Sequence, residues 1–258
     1  MSRDELIDRL LDEARKLHPL QLGLVISVAE ILQTRVQIAR LPNSDFANDN
    51  FMVAFGNRLL IHHAFTYAAL TKKHFEHAFE AASLEAGHEA EVVSNATHPG
   101  EDLSLNGLKC SLKTEAAASI RDGDITISKL SEARWIQQCT DLEALVEAVK
   151  WRIPAQLETI DRMFTLRFFR RQAGVVEYQL VEIPMHLFKA ISNLQLSDFS
   201  PRTRQGGSTA TVQIGDTRIF ALRLDGSDGK ITISNLKVSQ CIIHATWRFV
   251  TAEMPQVP

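Results

Sequence analysis

The chain has 258 residues, 45% of them hydrophobic and 23% charged, an ordinary globular mixture that excludes disordered, collagen-like and coiled-coil classes. No stretch approaches the roughly 18 uninterrupted apolar residues of a membrane span, and the charged opening MSRDELIDRLLDEARK lacks the apolar core of a signal peptide. Net charge is −3 but uneven: residues 129–258 hold 16 Lys and Arg against 13 Asp and Glu, and residues 1–128 hold 12 against 18. A mildly basic second half is compatible with a phosphate-facing surface, and an acidic first half with a divalent cation or with plain solvation.

Three cysteines, Cys110, Cys139 and Cys241, are odd in number and far apart, which speaks against a disulfide scaffold or zinc ribbon and for a reducing compartment. Apolar residues recur at helical spacing over residues 4–41, from Leu6, Leu10 and Leu11 to Val25, Ile26 and Leu32, with Pro19 dividing them into two helices. LPNSDFANDN (41–50) reads as a loop and residues 51–65 as a mostly apolar segment. Residues 70–87 form the clearest helix, with Leu70, Phe75, Ala78, Phe79 and Ala82 on one stripe, Thr71 near its start and Gly87 at its end.

Beyond residue 89 the period changes to two. AEVVSN reads as a strand, THPGE as a loop, and DLSLNGLKCSLKTE (102–115) as a hairpin, because Asn106-Gly107 suits a type I′ turn. Then come DITISKL, a helix around 140–160, strands over 163–169 and 175–184, a Gly- and Arg-bearing loop over 197–209, and at least three short strands to about residue 250. One α/β domain is expected over 1–258, with a helical arm (1–45), a core (46–190) and a β-rich C-terminal part (191–258).

A two-residue turn at Asn106-Gly107 fixes the register: Leu105 opposite Leu108, Ser104 opposite Lys109, Leu103 opposite Cys110, Asp102 opposite Ser111. Leu103, Leu105, Leu108, Cys110 and Leu112 then share an apolar face. Asp102, Ser104, Lys109, Ser111, Lys113 and Glu115 share a polar one. An acid and a lysine on one rigid face suit metal-assisted phosphodiester cleavage: the carboxylate holds the ion, and the ammonium orients water and offsets developing charge. The same pair also reads as a solvated ion pair worth under about 1 kcal/mol.

Elsewhere, His62 and His63 are adjacent and cannot point the same way, while His74 and His77 lie three apart on the helix without further soft-metal ligands. His244 and Trp247 read as packing, and Cys110 as an inert core thiol. Arg162, Arg167, Arg170 and Arg171 form a basic cluster; Arg167 also reads as paired within the fold, and Arg170 and Arg171 as a phosphate clamp or a solvated turn. Arg202 and Arg204 flank Gly206-Gly207, a loop suited to reaching a groove where a bidentate Arg reads guanine. Walker, Rossmann, HExxH and GxSxG motifs are missing.

Asp102, eight residues, then Ser111-Leu112-Lys113 resembles the Pro-Asp…(Asp/Glu)-X-Lys motif of the PD-(D/E)XK nucleases, with HPGED in place of Pro-Asp. Within that superfamily the chain resembles the SmaI-type type II restriction endonucleases. FGNRLLIHHAF (55–65), LTKKHFEHAF (70–79), PGEDLSL (99–105), LKTEAA (112–117), MFTLRFF (163–169), YQLVEIP (178–184) and CIIHATW (241–247) carry the resemblance in order. The middle acidic position is Ser111 here, a departure that leaves one metal ligand to be found elsewhere.

The resemblance implies a PD-(D/E)XK α/β core, a central mixed sheet flanked by helices, and Mg²⁺-dependent cleavage of double-stranded DNA leaving 5′-phosphate ends. It implies Asp102, Glu76 and the main-chain carbonyl of Leu112 as metal ligands and Lys113 as the catalytic lysine, with Glu80 and Glu115 as alternative acids. It also implies CCCGGG cut to blunt ends, a homodimer, a cognate DNA methyltransferase and a bacterial cytoplasm. Other readings stay open: a catalytically silent DNA-binding relative, a structure-specific repair nuclease of the same fold, and a helical interaction module without DNA affinity.

Overall fold

The computed structural model describes residues 1–93, 100–172 and 174–251. Pro19 divides the N-terminal segment as expected. Helix α1 spans Arg3–Ala14 and α2 spans Pro19–Ile31, the proline sitting in the first turn, where a missing N–H costs nothing. Neither helix buries a residue, and Leu6, Leu10, Leu11, Val25, Ile26 and Leu32 are exposed. The end of that helical-looking segment differs from expectation. Gln37–Arg40 is a strand, β1, because it pairs antiparallel with residues 245–248, a long-range contact that local periodicity does not encode.

Helix α3 (Asp49–His63) starts where the Asn48 side chain accepts from the Phe51 N–H. Helix α4 (Lys72–Glu85) starts where Thr71 Oγ1 accepts from the His74 N–H at 3.3 Å. It ends before Gly87, whose φ of +87° closes the helix in the left-handed region. The two helices are tied by an Asn48 bond to the Ala86 carbonyl and by an Arg58–Glu85 pair at 2.6 Å.

The strands are β2 (Ala90–Val92), β3 (Leu103–Leu105), β4 (Leu108–Glu115), β5 (Asp124–Glu132), β6 (Arg162–Arg170), β7 (Val175–Ile183), β8 (Ser208–Ile214), β9 (Thr217–Asp225), β10 (Lys230–Lys237) and β11 (Ile242–Val250), with α5 (Leu142–Leu157) between β5 and β6. Seven of them form a mixed sheet in the order β1-β11-β7-β6-β4-β3-β2, in which β4 and β6 are parallel. The hairpin has the expected register, Leu103 opposite Cys110 and Leu105 opposite Leu108, with φ of +51° at Asn106 and +78° at Gly107. His98 and Pro99 of the HPGED stretch lie outside the described residues.

Alternation sorts the sheet's two faces. Leu103, Cys110, Leu112, Phe164, Leu166 and Trp247 pack on α3 and α4; Met163, Val181 and Ile183 pack with α5 and a second sheet, β5-β10-β9-β8. Two details differ from the sequence reading. Leu108, placed on the apolar face, is 41% exposed because it sits at the turn. The polar hairpin face is covered in part: Ser111 and Glu115 are buried where β5 crosses beside β4, while Lys109 stays exposed. The strands after residue 191 also divide, β8–β10 joining β5 while β11 returns to the main sheet. Among the described residues, no helix is long and apolar enough to cross a membrane.

Candidate active site

Asp102 precedes β3, and its main-chain N–H donates to the Cys110 carbonyl at 2.9 Å, which fixes the residue against β4. Its Oδ2 accepts from the Leu112 N–H at 2.7 Å and from the Ser111 hydroxyl at 3.2 Å. Ser111 is therefore a donor that orients the acid across the hairpin. Oδ1 meets the Lys72 ammonium at 2.6 Å, and the same Nζ lies 3.4 Å from Glu76 Oε1. Lys72 opens α4 and Glu76 follows one turn later, so helical spacing brings both to the hairpin.

Lys113 follows on the same face of β4. With Lys72, Asp102 and Thr114 it lines a cleft of about 610 Å³, whose other wall is Ile127–Glu132 of β5. Burial pushes the Lys113 amine down to about 8. The Asp102 charge opposes that shift, the Lys72 and Lys129 charges add to it, and Glu76 opposes it more weakly. A lysine lowered this far by burial in a cleft is a candidate functional group.

Asp102 and Glu76 already share one cationic centre, so this donor set suits a hard divalent ion. Mg²⁺ takes one or two carboxylates, keeps several waters, and needs no His or Cys. Among the described residues, no three His, Cys, Asp or Glu side chains cluster in a way that would hold a metal, so an ion held by these two acids would take the rest of its shell from a main-chain carbonyl and water. The Leu112 N–H is bonded to Asp102, so its peptide lies beside that acid.

The two alternative acids are engaged elsewhere. Glu80 Oε1 accepts from the Val92 N–H at 2.7 Å, pinning β2 to α4. Glu115 is buried against Arg167 at 2.7 Å and accepts from the Thr126 N–H at 2.7 Å; burial raises its pKa and the guanidinium opposes the rise. Lys72 is the site residue that the sequence reading missed. Its signal was present in the KKHFE run, where it stands four residues before Glu76.

The family model of SmaI, type II site-specific deoxyribonuclease, matches residues 14–249. The type II restriction enzyme SmaI of Serratia marcescens is 36% identical over 214 residues, covering 81% of this chain and 83% of that protein.

The chain belongs to the SmaI family of type II site-specific deoxyribonucleases.

No solved structure matches it. This SmaI-family enzyme uses most of its singled-out arginines in the fold. Arg162 bridges Asp45 and Glu182, each at 2.6 Å. Fully buried Arg167 bonds Glu115, Gln179 and the carbonyls of Arg121, Asp122 and Asp124. Arg171 pairs with Asp122 and Glu177 and lies over Phe169. Arg202, expected to reach outward, instead bonds the carbonyls of Ile136, Cys139, Asp141 and Gly206, stapling its loop to the segment before α5. Arg204 and Arg170 are exposed, Arg170 reaching the Tyr67 carbonyl at 3.3 Å.

Five histidines of the family enzyme are singled out by sequence. His63 is buried between the Thr66 carbonyl and the Tyr178 hydroxyl, and burial pushes it down to about 4. His62 bonds the Ala68 carbonyl, His74 and His77 are exposed, and His244 joins Ser44 to Glu182. Trp247 is fully buried and donates to the Met52 carbonyl. Cys110, buried and pushed up to about 12, is inert.

Proposed function

We propose that this type II restriction endonuclease cuts both strands of duplex DNA at one short sequence with Mg²⁺, through a PD-(D/E)XK core built from α4, the hairpin and β6. The observation that carries the reading is that Asp102 and Lys113 line one cleft between hairpin and β5, where Lys72 joins Asp102 to Glu76. Asp102, Glu76 and the Leu112 carbonyl hold the metal, which when bound neutralises charge on the scissile phosphate and lowers the pKa of water. Ser111 and the Leu112 N–H keep Asp102 aimed at the cleft. Lys113 orients the attacking water and offsets the charge growing on the phosphate, a contribution of about 3–4 kcal/mol for a preorganised donor. Exposed Arg170 and Arg204 contact DNA, and Arg171 and Arg202 shape the segments that carry those contacts.

Two strands need two such sites, so the enzyme acts as a homodimer on a palindrome. Family resemblance gives that palindrome as CCCGGG, cut to blunt 5′-phosphate ends, and implies a cognate methyltransferase in the same bacterial cytoplasm. Digestion of a sequenced plasmid with and without Mg²⁺, followed by end mapping, tests the reading. Discrete fragments with blunt ends at CCCGGG, seen with the metal alone, are expected. Nicking or preference for branched DNA would instead favour a repair nuclease, and Ca²⁺-supported binding without cutting under Mg²⁺ a silent relative.

A further inference from the structure

Lys72 lines the cleft, with its ammonium 2.6 Å from Asp102 Oδ1 and 3.4 Å from Glu76 Oε1. Two carboxylates sharing a partly buried site repel, and solvent screens them poorly there. A single positive charge facing both removes that repulsion. The oxygens it occupies are those assigned above to the divalent ion, so ammonium and metal compete for one pair of acids.

The two kinds of side chain differ in their freedom to move. The acids are 14% and 17% exposed, and Asp102 is fixed by two donors from β4. Lys72 is 44% exposed, stands in the first turn of α4, and carries its charge on a flexible four-carbon stem. The lysine therefore has a path into water that the carboxylates lack.

We propose that Lys72 is the built-in counter-ion of the metal-free site: it holds Asp102 and Glu76 together before the divalent ion arrives and yields their oxygens to it by swinging outward. This rests on the metal reading of the same acids. Lys72 is thus a positioning residue, and its presence lowers the metal affinity of the free enzyme while keeping the site assembled.

Calorimetric titration of the full chain with Mn²⁺ alone, without DNA, tests this. Lys72→Met and Lys72→Gln should bind Mn²⁺ about tenfold tighter than wild type, the size expected when about 1.4 kcal/mol of competition is removed. Lys73→Met, the exposed neighbour, should bind as wild type does. The metal-free Lys72→Met enzyme should also melt below wild type, and Mn²⁺ should raise its Tm by more. Unchanged or weaker Mn²⁺ binding in both Lys72 variants, with binding lost in Asp102→Asn, would overturn the counter-ion role and leave the metal site standing. Wild-type binding in Asp102→Asn would overturn the metal site and this role together.

Discussion

At the scale of single residues, the site separates acids that sequence spacing alone left in competition. Glu76 reaches the cation facing Asp102, whereas Glu80 holds the β2 main chain and Glu115 holds Arg167. Glu76→Gln should therefore abolish DNA cutting with little loss of stability, while Glu80→Gln should keep cutting and lower the unfolding free energy by about 1 kcal/mol; plasmid digestion beside urea titration separates the two. His63 makes a pH prediction of definite sign. Its Nδ1–H donates to the Thr66 carbonyl and its Nε2 accepts from Tyr178, an arrangement that only the neutral ring permits. The unfolded ring takes a proton near 6.5, the folded one only near 4, so stability is full above 6.5 and falls as pH drops through that window. Between pH 7 and pH 5, wild type should lose about 2 kcal/mol more than His63→Asn in urea unfolding.

Among elements, the hairpin was the most legible, because a two-residue turn and a period of two are local rules that fix register without knowledge of the rest. Gly107, at φ +78° with open space around it, should tolerate Ala at a cost of about 1 kcal/mol from backbone strain alone, measurable by denaturant unfolding. Contacts between elements were less legible for a physical reason. Lys72 meets Asp102 across 30 residues of chain, and Arg202 meets carbonyls 61–66 residues away, so neither partner lies within any periodic window. The loop glycines beside Arg202 indicated mobility, yet four carbonyls consume its guanidinium. Arg167, read as paired within the fold, is so, buried against Glu115 and the carbonyls of Arg121, Asp122 and Asp124. Arg167→Met should destabilise the enzyme by about 3–5 kcal/mol by leaving Glu115 buried and unpaired, and adding Glu115→Gln should recover much of that loss.

For the whole molecule, composition and period gave a mixed α/β chain, and the structure adds how its strands are shared between two sheets. Strand β5, read as a short mixed segment, pairs with β10 about a hundred residues later and makes the far wall of the cleft. That pairing turns a hairpin face that sequence alone leaves solvated into a covered site, with Lys113 held at about 8. On the proposed mechanism Lys113 acts there on a phosphodiester beside the acids proposed to hold the metal. Single-turnover cleavage of a plasmid by Lys113→Ala, paired with DNA binding measured in Ca²⁺, tests it most directly. Cutting reduced by about a hundredfold or more is expected, with binding within a few-fold of wild type. Cutting at the wild-type rate would contradict it.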